Sequence, residues 1–511
     1  MKKIYTYIVI ILFIGSSCNE KLDLKPISSA TTVTFYATTN DFIQSINGVY
    51  NSLQSGIKSS SPFADAGYPD RQLGLSEIRS DNLYAVADGP RVYEPINNFH
   101  KTISSNAYVE EAWNSNFNGI FRANILLDQL EKNGDVIAPD NLKTRIEAEA
   151  KFLRAFFYFD LVKWFGKLPI ITYPVSVDEA VNIPRSPVGD VYQLIIDDLK
   201  FAADNLPQPE SYAVGDKGRA TKYAAKGMLA LVYMTRSGPT YDIEGPGLGL
   251  NEWNLAMPLL DEIIANPNYA FGTSYNDIFS WSNENNSEVI FDVQYAAGYD
   301  PVVGATYPSL LAPVDFLRSA GKTKVYRIKR VSNDLLARYE TGDTRKDFCI
   351  HQTGFVFNNV QEIGSFVKKY VDITNIPNNN ADWPINFIVL RYTDILLLKA
   401  ECILHGAPGS QANDVDAVIN QVRQRAGLSG TKTNITLSEL LDERRKEFLG
   451  EGSRWHDLVR FGMVESVMTS WIASEDVLNQ IRPFQKDYIL YPLPQAELDV
   501  KVGLYEQNKG Y

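Results

Sequence analysis

Two stretches of this chain repeat apolar residues at the spacing of one helix face over unusual lengths. Trp113, Phe117, Ile120, Phe121, Leu127 and Leu130 form the first. Leu142, Ile146, Ala150, Leu153, Phe156, Phe157, Leu161 and Trp164 form the second, which Gly166 and Pro169 end. A three-and-four spacing held this long predicts long helices, and such helices need neighbours to cover their apolar sides. Further helical periods follow. Phe42, Ile46, Val49, Tyr50 and Leu53 share a face. Ser186-Pro187 reads as a helix start, leading through Val191, Leu194, Ile195 and Leu199 to a stop near Pro207. Helices are also expected over 221–236, 251–265, 387–404, 411–426, 437–449 and 463–473. Paired helices of about 15–20 residues suggest tetratricopeptide-type stacking, although no repeat signature stands out.

Residues 267–385 break this pattern. They are rich in Gly, Pro, Asn and aromatic residues. Glu288–Tyr295 and Phe366–Val371 read as short strands, with a short helix near 332–340 between them. The expected organisation is therefore mainly α, with a helical scaffold over about 35–265 and 387–475. The irregular, few-strand region 267–385 is inserted into it and carries the ligand-binding loops. Tyr488–Tyr511 is punctuated by proline and reads as mostly irregular.

The amino terminus supplies an address. Lys2 and Lys3 precede an apolar run, Ile4 to Ile14, broken only by Tyr5, Thr6 and Tyr7. Gly15, Ser16 and Ser17 follow, and then Cys18. Charge, apolar core and small residues in that order make a secretory signal over residues 1–17. The run is short of the roughly 20 residues a membrane span needs. No later run approaches that length. A cysteine directly after the small residues resembles the lipobox of bacterial lipoproteins, with Gly15 where leucine is usual and Ile14 one step back. The resemblance implies cleavage before Cys18 and lipid on Cys18, with residues 18–34 as a polar tether. A plain signal peptide followed by a chance cysteine is the alternative.

Bulk properties exclude some classes. A formal charge of −12 repels phosphate backbones, so nucleic-acid binding is not expected. Apart from Cys18 only Cys349 and Cys402 remain, and the sequence does not decide whether they pair. His100, His351, His405 and His456 lack metal-ligand spacing. No G-x-S-x-G elbow occurs. Gly321-Lys322-Thr323 ends like a phosphate loop, but Phe316 stands where its first glycine belongs. Gly245, Gly247 and Gly249 match no phosphate fingerprint and read as a surface loop. No cofactor is expected, and a structural Ca²⁺ held by loop carboxylates stays open.

The carboxyl-terminal third carries phrases in fixed order. They are Leu390–Glu401, Ile419–Gly427, Asp442–Phe448 with Glu451–Gly462, Tyr491-Pro-Leu-Pro with Glu497-Leu, and Gln507–Tyr511. With Cys18, Leu22-Asp23, Pro26, the helix of Asn124 and Lys151–Tyr158, they resemble the SusD/RagB family of Bacteroidetes outer-membrane lipoproteins across nearly the whole chain. The resemblance implies a cell-surface, lipid-anchored protein with a helical scaffold. Such proteins bind a glycan, sometimes a peptide, cap a SusC-like TonB-dependent transporter, and are not enzymes. Read physically, Arg391 and Asp394 are spaced to pair on one helix. Glu443, Arg444, Glu447, Arg454 and Asp457 suit an ion-pair network between helices. A hydrolase using Glu443 and Glu447 is the competing reading of those carboxylates.

No glycan contact carries over by motif, so candidates come from loop aromatics beside hydrogen-bonding residues. Segment 68–100 offers Arg71, Asp81, Tyr84, Tyr93 and Asn98, with Tyr68, Arg79, Asn82, Arg91 and Phe99 nearby. Segment 275–326 offers Trp281, Tyr299 and Tyr307, with Tyr275, Tyr295 and Tyr326. Trp383 is a third candidate. Ring faces would stack on sugar C–H faces, while Arg, Asn and Asp would take the hydroxyls. Each has an ordinary alternative, loop packing for the rings and a turn or cap for Asp81 and Asn82. A peptide-binding, RagB-like role and a helical scaffold without small ligand also stay open.

Overall fold

The computed structural model describes residues 35–54, 67–85, 92–300, 302–313, 330–352, 355–357, 360–362, 364–372, 374, 376–379, 382–409 and 411–511. The signal, Cys18 and the tether lie outside the described residues, as do Arg91, Tyr326 and Gly321–Thr323.

Eleven longer helices make the scaffold among the described residues. The first six are α1 (Thr39–Gln54), α2 (Ala107–Asn133), α3 (Asp140–Phe165), α4 (Val188–Asn205), α5 (Lys222–Ser237) and α6 (Trp253–Ile264). Then come α7 (Tyr392–Leu404), α8 (Ala412–Arg425), α9 (Leu437–Glu447), α10 (Arg454–Arg460) and α11 (Val464–Glu475). From α1 to α8 each helix packs chiefly on its neighbour in the chain, so an up-and-down stack runs through the molecule. Among the described residues no helix is long and apolar enough to cross a membrane.

Local chemistry explains the ends of these helices. The Asn106 side chain accepts from Tyr108 N and caps α2. Thr221 does the same for α5. Thr436 and Glu439 form a reciprocal capping box on α9. Gly166, at φ +71, stops α3 in the left-handed region. Every residue of α3 from Phe152 to Val162 is buried. It lies between α2 and α4 and meets Phe291 through Phe152 and Phe156. Arg154 at its centre clasps both neighbours, with 2.7 and 2.8 Å bonds to Asp198 of α4 and 2.9 Å to Asn124 of α2. That clasp accounts for Asn124 and for the arginine within Lys151–Tyr158.

Helices α2 and α3 approach closely because Gly119 leaves room. A Cβ there would sit 2.4 Å from the Phe157 ring. Gly119→Ala is therefore expected to lower stability by about 1–3 kcal/mol, the usual cost of overpacking a tight core. Urea unfolding followed by circular dichroism measures it.

The loop-rich region is real, but its strands are short. β1 (Val289–Val293) pairs antiparallel with β2 (Phe387–Arg391), with Val293 opposite Phe387 and Val289 opposite Arg391. Two-residue pairs join Leu83–Tyr84 to Arg330–Val331 and Ile350–His351 to Phe366–Val367. Residues 355–357 pair antiparallel with 360–362.

Two expectations need correction here. The single helix over 387–404 is a strand followed by a helix. Phe387-Ile-Val-Leu390 pairs with β1, Arg391 is still extended at φ −132 and ψ 162, and only then does α7 begin. β-Branched and aromatic residues suit a paired strand, and periodicity could not separate four such residues from a buried helix. The Arg391–Asp394 pair accordingly does not form. Arg391 bonds Glu447 and Glu451 at 2.9 Å, and Asp394 accepts from Arg444 at 2.6 Å. Cys349 and Cys402 are both buried free thiols, so they do not pair.

Candidate functional site

The β1–β2 ribbon carries one loop at each end of the insert toward a common surface. Beyond β1 the chain turns back through an Ala296↔Val303 bridge and then pairs Ala305 with Trp383. Two backbone bonds of 2.8 and 3.2 Å fix that second bridge. Gly298, at φ +83, sits in the turn where L side chains rarely fit, and its N–H donates to Asp382 Oδ2 at 3.0 Å. Gly304 passes so close that a Cβ would stand 2.4 Å from Asp382 Cα. The turn thus rests on Asp382 and lifts Tyr299 into solvent, 62 % exposed.

Trp281 leans on Trp383, the residue next to Asp382. Its ring meets Trp383 edge-on at 5.6 Å and 89°. Trp383 is fully buried and donates from Nε1 to Ser309 Oγ at 3.0 Å, so it acts as the floor and is not itself a contact surface. Trp281 is half-buried, with the Ser280 and Ser282 hydroxyls 3.0 Å apart beside it. Exposed Ser282, Asp300, Asn378 and Asn379 lie on the flanking loops. Asp382–Trp383 therefore links two surface aromatics in one polar patch.

The other ring and polar candidates are structural. Tyr307 is fully buried and donates to the Ile385 and Asn386 carbonyls, at 3.3 and 2.9 Å. Its ring packs among Tyr295, Tyr370 and Phe387, which leaves no face for a ligand. Tyr93 shares a 2.6 Å hydrogen bond with Tyr108, and Tyr84 donates to Asp476 at 3.0 Å while its ring meets Trp471. Arg71 is fully buried within the short helix Tyr68–Gln72. Asn98 is buried, and its carbonyl accepts from Arg482 N. Asp81 is buried between Arg454 at 2.8 Å and Arg445 at 3.1 Å. These residues bind the body of the protein together, which corrects their placement in a ligand site.

Buried acids set a pH profile. Burial pushes Asp70, Glu77 and Asp292 up to about 7, against hydrogen bonds from Thr306, Asn82 and Gln294 respectively. Asp70 ties the Tyr68–Gln72 helix to Thr306, just beyond the Tyr299 turn, at 2.6 Å. Burial would raise Asp81 too, but Arg445 and Arg454 more than reverse it and hold its carboxyl at about 2. The three raised groups keep protons that an unfolded chain, with pKa near 4, releases. Their stabilisation is complete below about pH 4 and is lost as pH rises through 7. Asp81 works oppositely, stabilising above about pH 4 and losing that effect as pH falls toward 2. Urea unfolding at pH 5 and pH 8 is expected to give the higher stability at pH 5, since the three raised groups lose most of their effect between the two and Asp81 gains almost nothing.

The charged phrases of the last third form a buried knot under the scaffold. Glu447 accepts from Arg345 at 3.0 Å, Arg391 at 2.9 Å and Arg425 at 2.5 Å. Glu443 bonds Arg345 at 2.7 Å, and Arg444 bonds Asp457 at 2.9 Å. Burial opposes ionisation of Glu447, but Arg425, Arg391 and Arg345 hold its carboxyl well below the ordinary range. A general acid must carry a proton near neutral pH, so Glu447 does not suit a glycosidase pair. Among the described residues no group of three His, Cys, Asp or Glu is placed to hold a metal ion.

Sequence reasoning missed Asp382 and the turn chemistry around Tyr299. Gly298 and Gly304 bracketing Tyr299 were the available signal, since glycines at such spacing often mark a turn pressed against other backbone.

Comparison with known proteins follows from this geometry. Residues 352–511 match the sequence model of the SusD family. Residues 22–234 match a second model, described as starch-binding and associating with the outer membrane. SusD-like protein P25 of Formosa agariphila is 27 % identical, with both chains covered in full. A solved laminarin-binding SusD-like protein is 25 % identical with a TM-score of 0.74, covering 93 % of this chain and all of the other. Surface glycan-binding protein A from Bacteroides thetaiotaomicron, solved with laminarihexaose, is 23 % identical with a TM-score of 0.76, over 92 % of this chain and 99 % of that one.

Proposed function

This chain belongs to the SusD family, and from that premise we propose that it is a surface protein of the outer membrane that binds a glycan and passes it to a SusC-like TonB-dependent transporter. The observation that carries the reading is the patch on Asp382–Trp383, where exposed Tyr299 and half-buried Trp281 stand beside hydroxyl, amide and carboxylate groups. Flat aromatic faces take the C–H faces of sugar rings, and short polar side chains take the hydroxyls. A site this open, with two or three such contacts, binds in the micromolar to millimolar range.

It is a binding protein and not an enzyme. The carboxylates of Glu443, Glu447 and Asp457 are all engaged by buried arginines. Lipid on Cys18 and the tether 18–34 hold the scaffold at the membrane surface. Cys18→Ala should then remove labelling by radioactive palmitate and release the protein from the membrane fraction.

Native affinity gels test the binding. The soluble form from Asn19 onward is run through gels holding laminarin, starch, xylan, arabinan, galactan or mannan. Laminarin heads the panel after the laminarin-binding relative. Retardation by at least one polysaccharide is expected. Free migration through all six gels, with tight binding of peptides instead, would overturn the glycan reading.

A further inference from the structure

A cleft of about 340 Å³ opens beside Asn285–Ser287, in the loop that carries Trp281. Its walls are the turn segment 209–221 and the run from Asn285 to β1. The loop from Ser280 to Ser287 has Trp281 near one end and cleft-lining residues at the other. Resting on the glycan reading above, we infer that this cleft is a second subsite, which takes one further sugar unit of the same chain.

The cleft is built rather than incidental. Its walls are held by bonds that cross between elements. Asn268 donates to Glu210 at 2.8 Å, joining the residues after α6 to the turn after α4. Asn285 and Gln294 exchange amide hydrogen bonds of 3.3 and 3.0 Å. Arg219 is fixed by Asn47 at 2.6 Å, Asp216 at 2.7 Å and Glu149 at 2.9 Å. Gly218, at φ +89, packs so tightly on Gln294 that a Cβ would lie 2.4 Å from its Cδ. A preformed cavity of this size falls in the range that holds small ligands and needs no ordering on binding.

Its mouth keeps unused hydrogen-bonding capacity. Lys217 is exposed and forms no ion pair among the described residues. Exposed Ser287 stands on the opposite wall. Tyr212 presents a half-buried ring that the Arg145 guanidinium lies over at 5.5 Å, and its hydroxyl is committed to the Ala220 carbonyl at 2.8 Å, which fixes the ring in the cleft wall. One ring with an ammonium and a hydroxyl around it can meet the ring face and hydroxyls of a single pyranose.

Four proteins on the six gels test this: the unaltered chain, Tyr299→Ala, Lys217→Ala with Ser287→Ala, and the triple variant. All three substituted side chains are exposed, so thermal unfolding should be unchanged and serves as the control for folding. On the polysaccharide that retards the unaltered chain, the cleft double variant should bind three- to tenfold more weakly. Tyr299→Ala should keep a weak residual retardation, and the triple variant should lose it. A triple variant that migrates like Tyr299→Ala would overturn the subsite while the glycan reading stands. No retardation of the unaltered chain in any gel would overturn both.

Discussion

Glu447→Gln is expected to cost about 3–5 kcal/mol of stability and to leave little folded protein at 37 °C. The carboxylate is fully buried and shared by Arg345, Arg391 and Arg425, at 3.0, 2.9 and 2.5 Å. Those guanidiniums reach other partners as well. Arg391 bonds Glu451 at 2.9 Å, Arg425 bonds Glu288 at 2.6 Å and Arg345 bonds Asp343 at 2.7 Å. None of these replaces the charge lost at the centre. A buried ion pair adds little net stability when formed, because both partners are desolvated, but removing one partner strands the other in low dielectric. Here one substitution takes a shared counter-charge from three buried guanidiniums at once, each left with its remaining carboxylates alone. Glutamine keeps the shape, so the loss reports charge rather than a cavity. Urea unfolding measures it, and a loss under about 1 kcal/mol would mean that the remaining acids absorb the imbalance.

Tyr299→Ala is expected to weaken glycan binding about tenfold or more while leaving unfolding unchanged. The ring is 62 % exposed on a turn held by its neighbour Gly298 rather than by its own side chain. Removing it should cost the fold little and the ligand a stacking surface. A tenfold loss is about 1.4 kcal/mol, in line with burying one aromatic face on a sugar. Tyr299→Phe keeps the face and should keep most of the affinity. Trp281→Ala makes a useful contrast. Its edge contact with Trp383 belongs to the packing, so that variant should lose both affinity and some stability. Titration calorimetry with thermal unfolding separates the two outcomes.

The helical scaffold was legible because its signal is local. The apolar periods over 113–130 and 142–164 became α2 and α3, and Gly166 ended α3 where its chemistry predicts. The split of 387–404 was not legible. Phe387–Leu390 is a strand only because β1, about 100 residues earlier in the chain, lies beside it.

Segment 68–100 shows the same limit more sharply. Arg79, Asp81 and Asn82 read like hydrogen-bonders on a loop. Their partners are Tyr488, Arg454 and Arg445, more than 360 residues away, and no local pattern announces such a meeting. The phrases that carried the family resemblance proved to be the other half of these clasps. Tyr491 donates to the Leu75 carbonyl at 2.8 Å and lies under Arg79 at 4.2 Å, while Asn508 holds the Phe165 and Tyr491 carbonyls. Motif and site therefore separate in this fold. Residues bonded across elements form the body, and the binding patch we propose rests on exposed Tyr299 and half-buried Trp281.

The most direct test is the crystal structure of the soluble chain grown with the oligosaccharide form of whichever polysaccharide retards it. A sugar ring stacked on Tyr299 within about 4 Å, with its neighbour near Trp281, is the predicted result. Sugar bound only elsewhere, with Tyr299 and Trp281 free, would contradict the placement of the site on Asp382–Trp383.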